Sequence, residues 1–283
     1  MKILAMAAIA VGVTLGAAPG VGAQSVGRML ESDVRNLAKD VGAVWASPFD
    51  SKGRDWLAVA GVAALTGVSM FADEPVERWA RDGDSLSSLQ FLDPLRRGGV
   101  LFSGKYIVPP VAAAYILGIA LKNQGLRDGV LGCGASWLAQ SPVRKGVYRL
   151  VGRQRPETSP DDAQNWVVPN KPSEQDDPWQ YRSFPAGHFA NAMGCAAFLN
   201  NRFDMGWGGP AIYAVALGVG MGRLLDHAHW TSDTVLGGAL GYAVGREIGR
   251  RSLAREMARS ANGAQLNVAP DAGGLSMTLQ WTF

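Results

Sequence analysis

Arg223-Leu-Leu-Asp226-His227-Ala-His229-Trp-Thr-Ser-Asp233 is a polar segment set between two apolar runs of helical length, Ala211–Leu225 and Ser232–Ile248. Positions four apart on a helix, or across a helix start, face the same way, so Asp233 can accept a hydrogen bond from one ring nitrogen of His229. Such a bond fixes the tautomer and leaves the other nitrogen free to attack an electrophile. Ser232 or Thr231 can cap the helix that follows. A purely structural His and Asp pair would look the same, so the segment gains its meaning from its company.

Outward from this stretch the chain reads as helix after helix. Apolar runs rich in Gly and Ala recur at Trp56–Ala72, Ile107–Leu121, Gly129–Val151 and Phe189–Asn200. Near the N-terminus, Leu30, Val34, Leu37, Val41 and Val44 mark one face of an amphipathic helix, which Pro48 and the cluster from Asp50 to Gly53 end. The last segment changes period. Leu275, Met277, Leu279, Trp281 and Phe283 alternate with polar residues, and Asp271-Ala-Gly-Gly can turn them back on Leu266-Asn-Val. The expected fold class is all-α, a helical bundle with a short C-terminal β-hairpin. A terminal aromatic on such a strand is also a feature of membrane barrels, but those need about eight strands. The hairpin is expected to pack on the bundle or to pair with another copy of the chain.

Lys2, the apolar run Ile3 to Leu15 and the small residues Val21-Gly22-Ala23 read as an export signal, which places the protein in the periplasm or outside the cell. The expected organisation is a signal peptide over 1–23, an amphipathic helix and linker over 24–54, a helical domain over 55–255 and a hairpin tail over 256–283. With 47% apolar residues the chain can fill a substantial core, and a net charge of +3 without an arginine-rich stripe excludes a nucleic-acid partner. Cys133 and Cys195 each lie in a small-residue apolar stretch. An oxidising compartment permits a disulfide between them, and two packed thiols fit equally. The apolar runs sit at or below the roughly 20 residues of a membrane span, and the mean hydropathy is +0.03. A soluble or peripherally attached bundle is therefore expected over a polytopic one.

Only three histidines occur, His188, His227 and His229, all in two polar segments beside apolar helices. Phe184-Pro-Ala-Gly187-His188 opens the run from Phe189, and a proline and glycine before a helix leave its first amides pointing outward as a phosphate site. His188 would stand there as a proton donor. Arg153-Gln-Arg155-Pro156 ends the helix before it, and guanidinium groups grip phosphate oxygens with two prongs. Singly, each segment has an ordinary structural explanation.

Together they resemble the type 2 phosphatidic acid phosphatases, relatives of bacterial acid phosphatases and vanadium haloperoxidases. That family carries Lys, six residues, Arg-Pro, then Pro-Ser-Gly-His, then Ser-Arg, five residues, His, three residues, Asp. Arg155-Pro156, Pro185-Ala-Gly187-His188, and Arg223 with His229 and Asp233 match in order and spacing. The resemblance implies that His229 is a nucleophile forming a phosphohistidine, oriented by Asp233, while His188 protonates the leaving oxygen and later activates water. It implies that Arg155, Arg223 and the Gly187 amide hold the phosphate oxygens, with no metal and no cofactor.

Three motif positions depart from the pattern: Tyr148 stands where the family has lysine, Ala186 and Gly222 where it has serine. Lys145 or Arg149 is expected to supply the missing charge, or Tyr148 a hydrogen bond. The segment Glu157–Ser183, with Trp166, Trp179 and Tyr181, is expected to cover the site. The implied substrate is a phosphorylated lipid or a small phosphomonoester, with peripheral membrane contact and self-association through the hairpin left open. Alternatives are a non-catalytic envelope protein of degenerate fold, a vanadate-dependent haloperoxidase, and a metal hydrolase built on His188, His227, His229 and Asp233.

Overall fold

A computed structural model describes residues 23–82, 90–104, 106–271 and 274–281. The chain divides into two compact units, residues 1–36 and 37–283. The described part of the first is the start of helix α1 (Ala23–Asp50), where Glu31 and Arg35 pair one turn apart at 2.5 Å on an exposed face. The expected export signal lies, apart from Ala23, outside the described residues.

The second unit continues α1 and adds α2 (Gly53–Ser69), α3 (Asp73–Arg81), α4 (Asp93–Gly98), α5 (Val108–Ala120), α6 (Gln124–Leu150), α7 (Gly187–Arg202), α8 (Gly208–Leu225) and α9 (Thr231–Gly263). It is helical, as the periodicity requires. Helix α7 lies at its centre, packed against α6, α8 and α9. One core cluster joins Phe189, Met193 and Ala196 of α7 to Ala216 and Val219 of α8, and a second joins Phe198 to Ala135 and Ala139 of α6 and to Val244 and Ile248 of α9.

The approach of α9 to α7 is set by glycine. Gly237, Gly241 and Gly245 recur every fourth residue and so form one stripe along α9. A Cβ on them would stand 2.5, 2.2 and 2.0 Å from the carbonyl oxygens of Ala186, Ala190 and Gly194, which recur with the same spacing on the facing side. The two backbones therefore touch along three turns, and the N-terminus of α7 is fixed beside that of α9. Ala186 N–H donates to the Asp233 carbonyl at 2.9 Å, closing the junction. On the opposite flank a disulfide joins Cys133 of α6 to Cys195 of α7, which decides between the two readings of that cysteine pair.

Several boundaries differ from expectation for identifiable reasons. Helix α1 runs through Pro48 to Asp50. Helix α9 continues past Ile248 because its charged extension is anchored: Arg255 Nη2 lies 2.6 Å from Asp40 Oδ2 and Arg251 Nε 3.6 Å from Oδ1. Helix α3 is too short for periodicity to announce it, since its nine residues carry only Val76, Trp79 and Ala80 as an apolar stripe among charges. It joins α2 through a short 3-10 turn, Met70–Ala72, so that Gly53–Arg81 is a continuous helical stretch of 29 residues. That stretch and Gly208–Leu225 are long and apolar enough to cross a membrane, which removes the length objection for the first.

The C-terminal hairpin is formed by two antiparallel strands, Ala264–Asp271 and Gly274–Trp281, with Leu266 opposite Leu279 and Val268 opposite Met277. Phe283 lies outside the described residues. The segment after Pro156 is not a free loop. It returns through an antiparallel pair, Gly152–Arg153 with Trp166–Val167, and is tied down by Arg155 N–H to Gln180 O (2.9 Å) and Ser183 N–H to Arg153 O (3.2 Å).

Candidate active site

His229 sits in the turn between α8 and α9 and is almost fully buried, at 2% exposure. Its Nδ1 lies 2.7 Å from the Ser183 carbonyl oxygen. A carbonyl only accepts, so Nδ1 carries the proton and Nε2 the lone pair. Asp233 does not make this bond, its Oδ2 being 3.9 Å from Nδ1. That carboxylate instead accepts from Ser183 Oγ and from Trp230 N–H at 2.8 Å, while Oδ1 accepts from Arg153 Nη1 at 2.8 Å. The expected direct orientation of His229 by Asp233 is thus replaced by an indirect one. Asp233 holds Ser183, and Ser183 holds the ring.

Behind Asp233 stands a fully buried charge network. Arg153, with 0% side-chain exposure, donates to Asp233 and, through Nη2 at 2.6 Å, to Asp73 Oδ2 of α3. Asp73 also accepts from the Ser232 amide at 2.8 Å and hydroxyl at 2.7 Å. Every oxygen of the two carboxylates has a donor, the condition under which buried charges persist. Trp166 and Trp230 stack on the Arg153 guanidinium at 4.7 and 5.4 Å.

His229 lines a cavity of about 690 Å³ together with His188, Gly187, Arg155, Tyr148 and Arg144. His188 opens α7 and is held down to a pKa of about 4 by burial first and then by Arg223, Arg155 and Arg144. Burial, Arg155 and His188 keep the His229 ring well below the usual imidazole range, hence neutral. Burial raises the Asp233 carboxyl, an effect that Arg153 and Ser183 oppose. Arg155 lies on the cavity wall, stacked on Trp179 at 4.6 Å, and its Nε is buried without a partner. The expected cover is present in Trp179, Arg182 and Pro172, which line the same cavity.

Other expected site residues take different places. Arg223 is absent from the cavity wall: its Nη2 pairs with Asp226, three residues on, and donates to the Arg96 carbonyl at 3.0 Å. Arg96 in turn grips Asp226 at 2.8 Å, so the pair is held from both sides. The Tyr148 hydroxyl is spent on the Pro185 carbonyl at 2.8 Å and props the loop before Gly187. Lys145 and Arg149 line the cavity as exposed side chains. His227 turns away, its Nδ1 2.9 Å from Glu77 Oε1, close enough for an ion pair when protonated but not aligned as a hydrogen bond. His188, His227, His229 and Asp233 therefore do not converge as a ligand set.

Sequence reasoning did not reach Asp73, Arg153 as a bridge, Ser183, Arg144 or Asn191. For Ser183 and Arg153 the adjacency to Phe184-Pro185 and Arg155 was the available signal; for Asp73, distant in sequence, there was none.

A buried neutral histidine, a second histidine and two buried arginines thus line one cavity of a helical protein, at the start of α7. Residues 133–253 match the family model of the PAP2 superfamily, and the resemblance read from the three motifs stands. Among solved structures the chain is similar to a crystal structure described as the first transmembrane PAP2 type phosphatidylglycerolphosphate phosphatase from Bacillus subtilis. The identity is 16% and the TM-score 0.43, with 70% of this chain and 96% of that one covered. No curated protein matches the chain.

Proposed function

We propose that this protein is an exported, membrane-associated phosphatase of the PAP2 type that hydrolyses phosphomonoesters through a phosphohistidine on His229. The observation that carries the reading is the fixed tautomer of His229: Nδ1 is committed to the Ser183 carbonyl, which leaves the Nε2 lone pair on a cavity shared with His188 and Arg155. Nε2 attacks phosphorus, the bond from phosphorus to the leaving oxygen breaks, and His188 gives that oxygen a proton. His188, now neutral, takes a proton from water, whose oxygen attacks the phosphohistidine. The bond from phosphorus to nitrogen breaks, and phosphate and neutral His229 are released.

A phosphate dianion in the cavity offsets the arginines that hold His188 near 4 and so draws a proton onto it in the complex. The disulfide between Cys133 and Cys195 supports an oxidising compartment. Exposed Trp56, Leu57, Val68 and Phe71 on and just after α2, Ile116 and Leu121 at α5, and Leu217 on α8 support contact with lipid, since isolated globular proteins rarely leave such faces to water. Turnover of 4-nitrophenyl phosphate and of phosphatidic acid by the purified full chain, undiminished by EDTA, is the expected result. Loss of activity on chelation that returns with a divalent cation would contradict the mechanism.

A further inference from the structure

Four arginines are buried among the described residues: Arg144, Arg153, Arg155 and Arg223. Arg153 is neutralised by Asp73 and Asp233, and Arg223 by Asp226. Among the described residues, neither Arg144 nor Arg155 has a carboxylate in ion-pair contact, Glu157 and Asp233 acting on Arg155 only from a distance, and both line the cavity that holds His188 and His229. Burying a charge without a counter-charge is costly, so two such groups on one wall call for an anion between them.

We propose that Arg144 is a direct ligand of the substrate phosphate, the cation that completes the site with Arg155. This rests on the phosphatase reading above and supplies a residue that the motifs do not contain. Its placement is built. Nη2 donates to Asn191 Oδ1 at 3.0 Å and to Ser141 Oγ at 3.1 Å, while Nε is buried without a partner. Asn191 is itself anchored, its Nδ2 donating to the Phe102 carbonyl at 2.5 Å. A Cβ on Gly187 would stand 2.4 Å from Arg144 Nη1, so the guanidinium lies directly against the backbone at the start of α7. Glycine at 187 makes that approach available. The first amides of a helix have no acceptors within it, so Arg144 Nη1 and the α7 N-terminus present donors to the same point.

The helix explains why Arg144 takes this role and its neighbours do not. Arg144 lies four residues before Tyr148 and shares its face of α6, whereas Lys145 and Arg149 are exposed. Tyr148 fills the nearer position and spends its hydroxyl on Pro185. The guanidinium one turn back reaches the same point, a Cβ on Gly187 lying 2.4 Å from Arg144 Nη1 and 3.4 Å from Tyr148 Oη.

The test uses the full chain with orthophosphate as the probe, its affinity measured by calorimetry, beside kcat/KM for 4-nitrophenyl phosphate. Arg144→Met is expected to weaken orthophosphate at least tenfold and to lower kcat/KM by roughly 10²-fold, the usual loss for one oxyanion donor. If Arg144→Met does not fold, Arg144→Gln, which keeps a donor for Asn191 and lacks the charge, is read by the same criterion. A folded variant that binds orthophosphate within twofold of wild type overturns the assignment. If orthophosphate binding falls with Arg144 while the wild-type chain hydrolyses no ester, the ligand assignment stands and the phosphatase reading fails.

Discussion

The two ring nitrogens of His229 meet different fates, and the difference is made by Ser183, a residue that is not on the cavity wall. Ser183 presents its carbonyl to Nδ1 and its hydroxyl to Asp233, while Arg153 and Asp73 complete the chain of buried charges behind it. Removing one partner from a buried ion network strands the other, at a cost of about 3–5 kcal/mol. Asp73→Ala should therefore lower unfolding stability by about that amount in denaturant titrations and reduce turnover, although Asp73 is not on the wall of the cavity that holds His188 and His229. The titration of the histidines has a sign that can be checked. Both have folded pKa values depressed below the unfolded value of 6.5, His188 to about 4. As pH falls below 6.5 the unfolded chain takes up protons that the folded one refuses, so stability present above 6.5 is lost toward 4. The melting temperature should fall from pH 7 to pH 5, and less so in His188→Ala.

At the scale of elements, the site depends on two helix N-termini being held together. Helix α9 reaches α7 so closely that a single methyl group at Gly241 would meet the Ala190 carbonyl at 2.2 Å. Gly241→Ala gains helix propensity and loses that contact, and the overpacking term of roughly 1–3 kcal/mol is the larger. A lower melting temperature with weakened activity is expected; a stabilised variant would show that the helices can part without harm. The elements themselves were legible, because apolar runs bounded by Gly, Pro and Asp recur at Phe189, Ala211 and Ser232. What was not legible has a common cause. Helix α3 and the end of α9 are held by charge, Asp73 to Arg153 and Arg255 to Asp40, and hydrophobic periodicity carries no trace of such pairs. Likewise His188, His229 and Arg155 could be placed from motif spacing, whereas Arg144 became visible only when its burial and its lack of a counter-charge could be seen.

Across the whole molecule, polar chemistry is concentrated at one helix junction while α2, α5 and α8 turn apolar side chains outward. Leu57 is 74% exposed and Phe71 86%. Co-sedimentation with phosphatidylcholine vesicles is the expected behaviour, with Leu57→Glu and Phe71→Glu shifting the chain toward the supernatant while leaving its helical content intact. A chain that stays monodisperse in detergent-free buffer and ignores vesicles would refute membrane association without touching the chemistry. The chemistry is tested most directly by trapping its intermediate. His188→Ala, incubated with 4-nitrophenyl phosphate and quenched in alkali, should accumulate an acid-labile phosphate on His229, found by mass spectrometry of the digest and absent from His229→Ala. Release of 4-nitrophenol with no phosphate on His229, or equal turnover by the His229→Ala variant, would contradict the account.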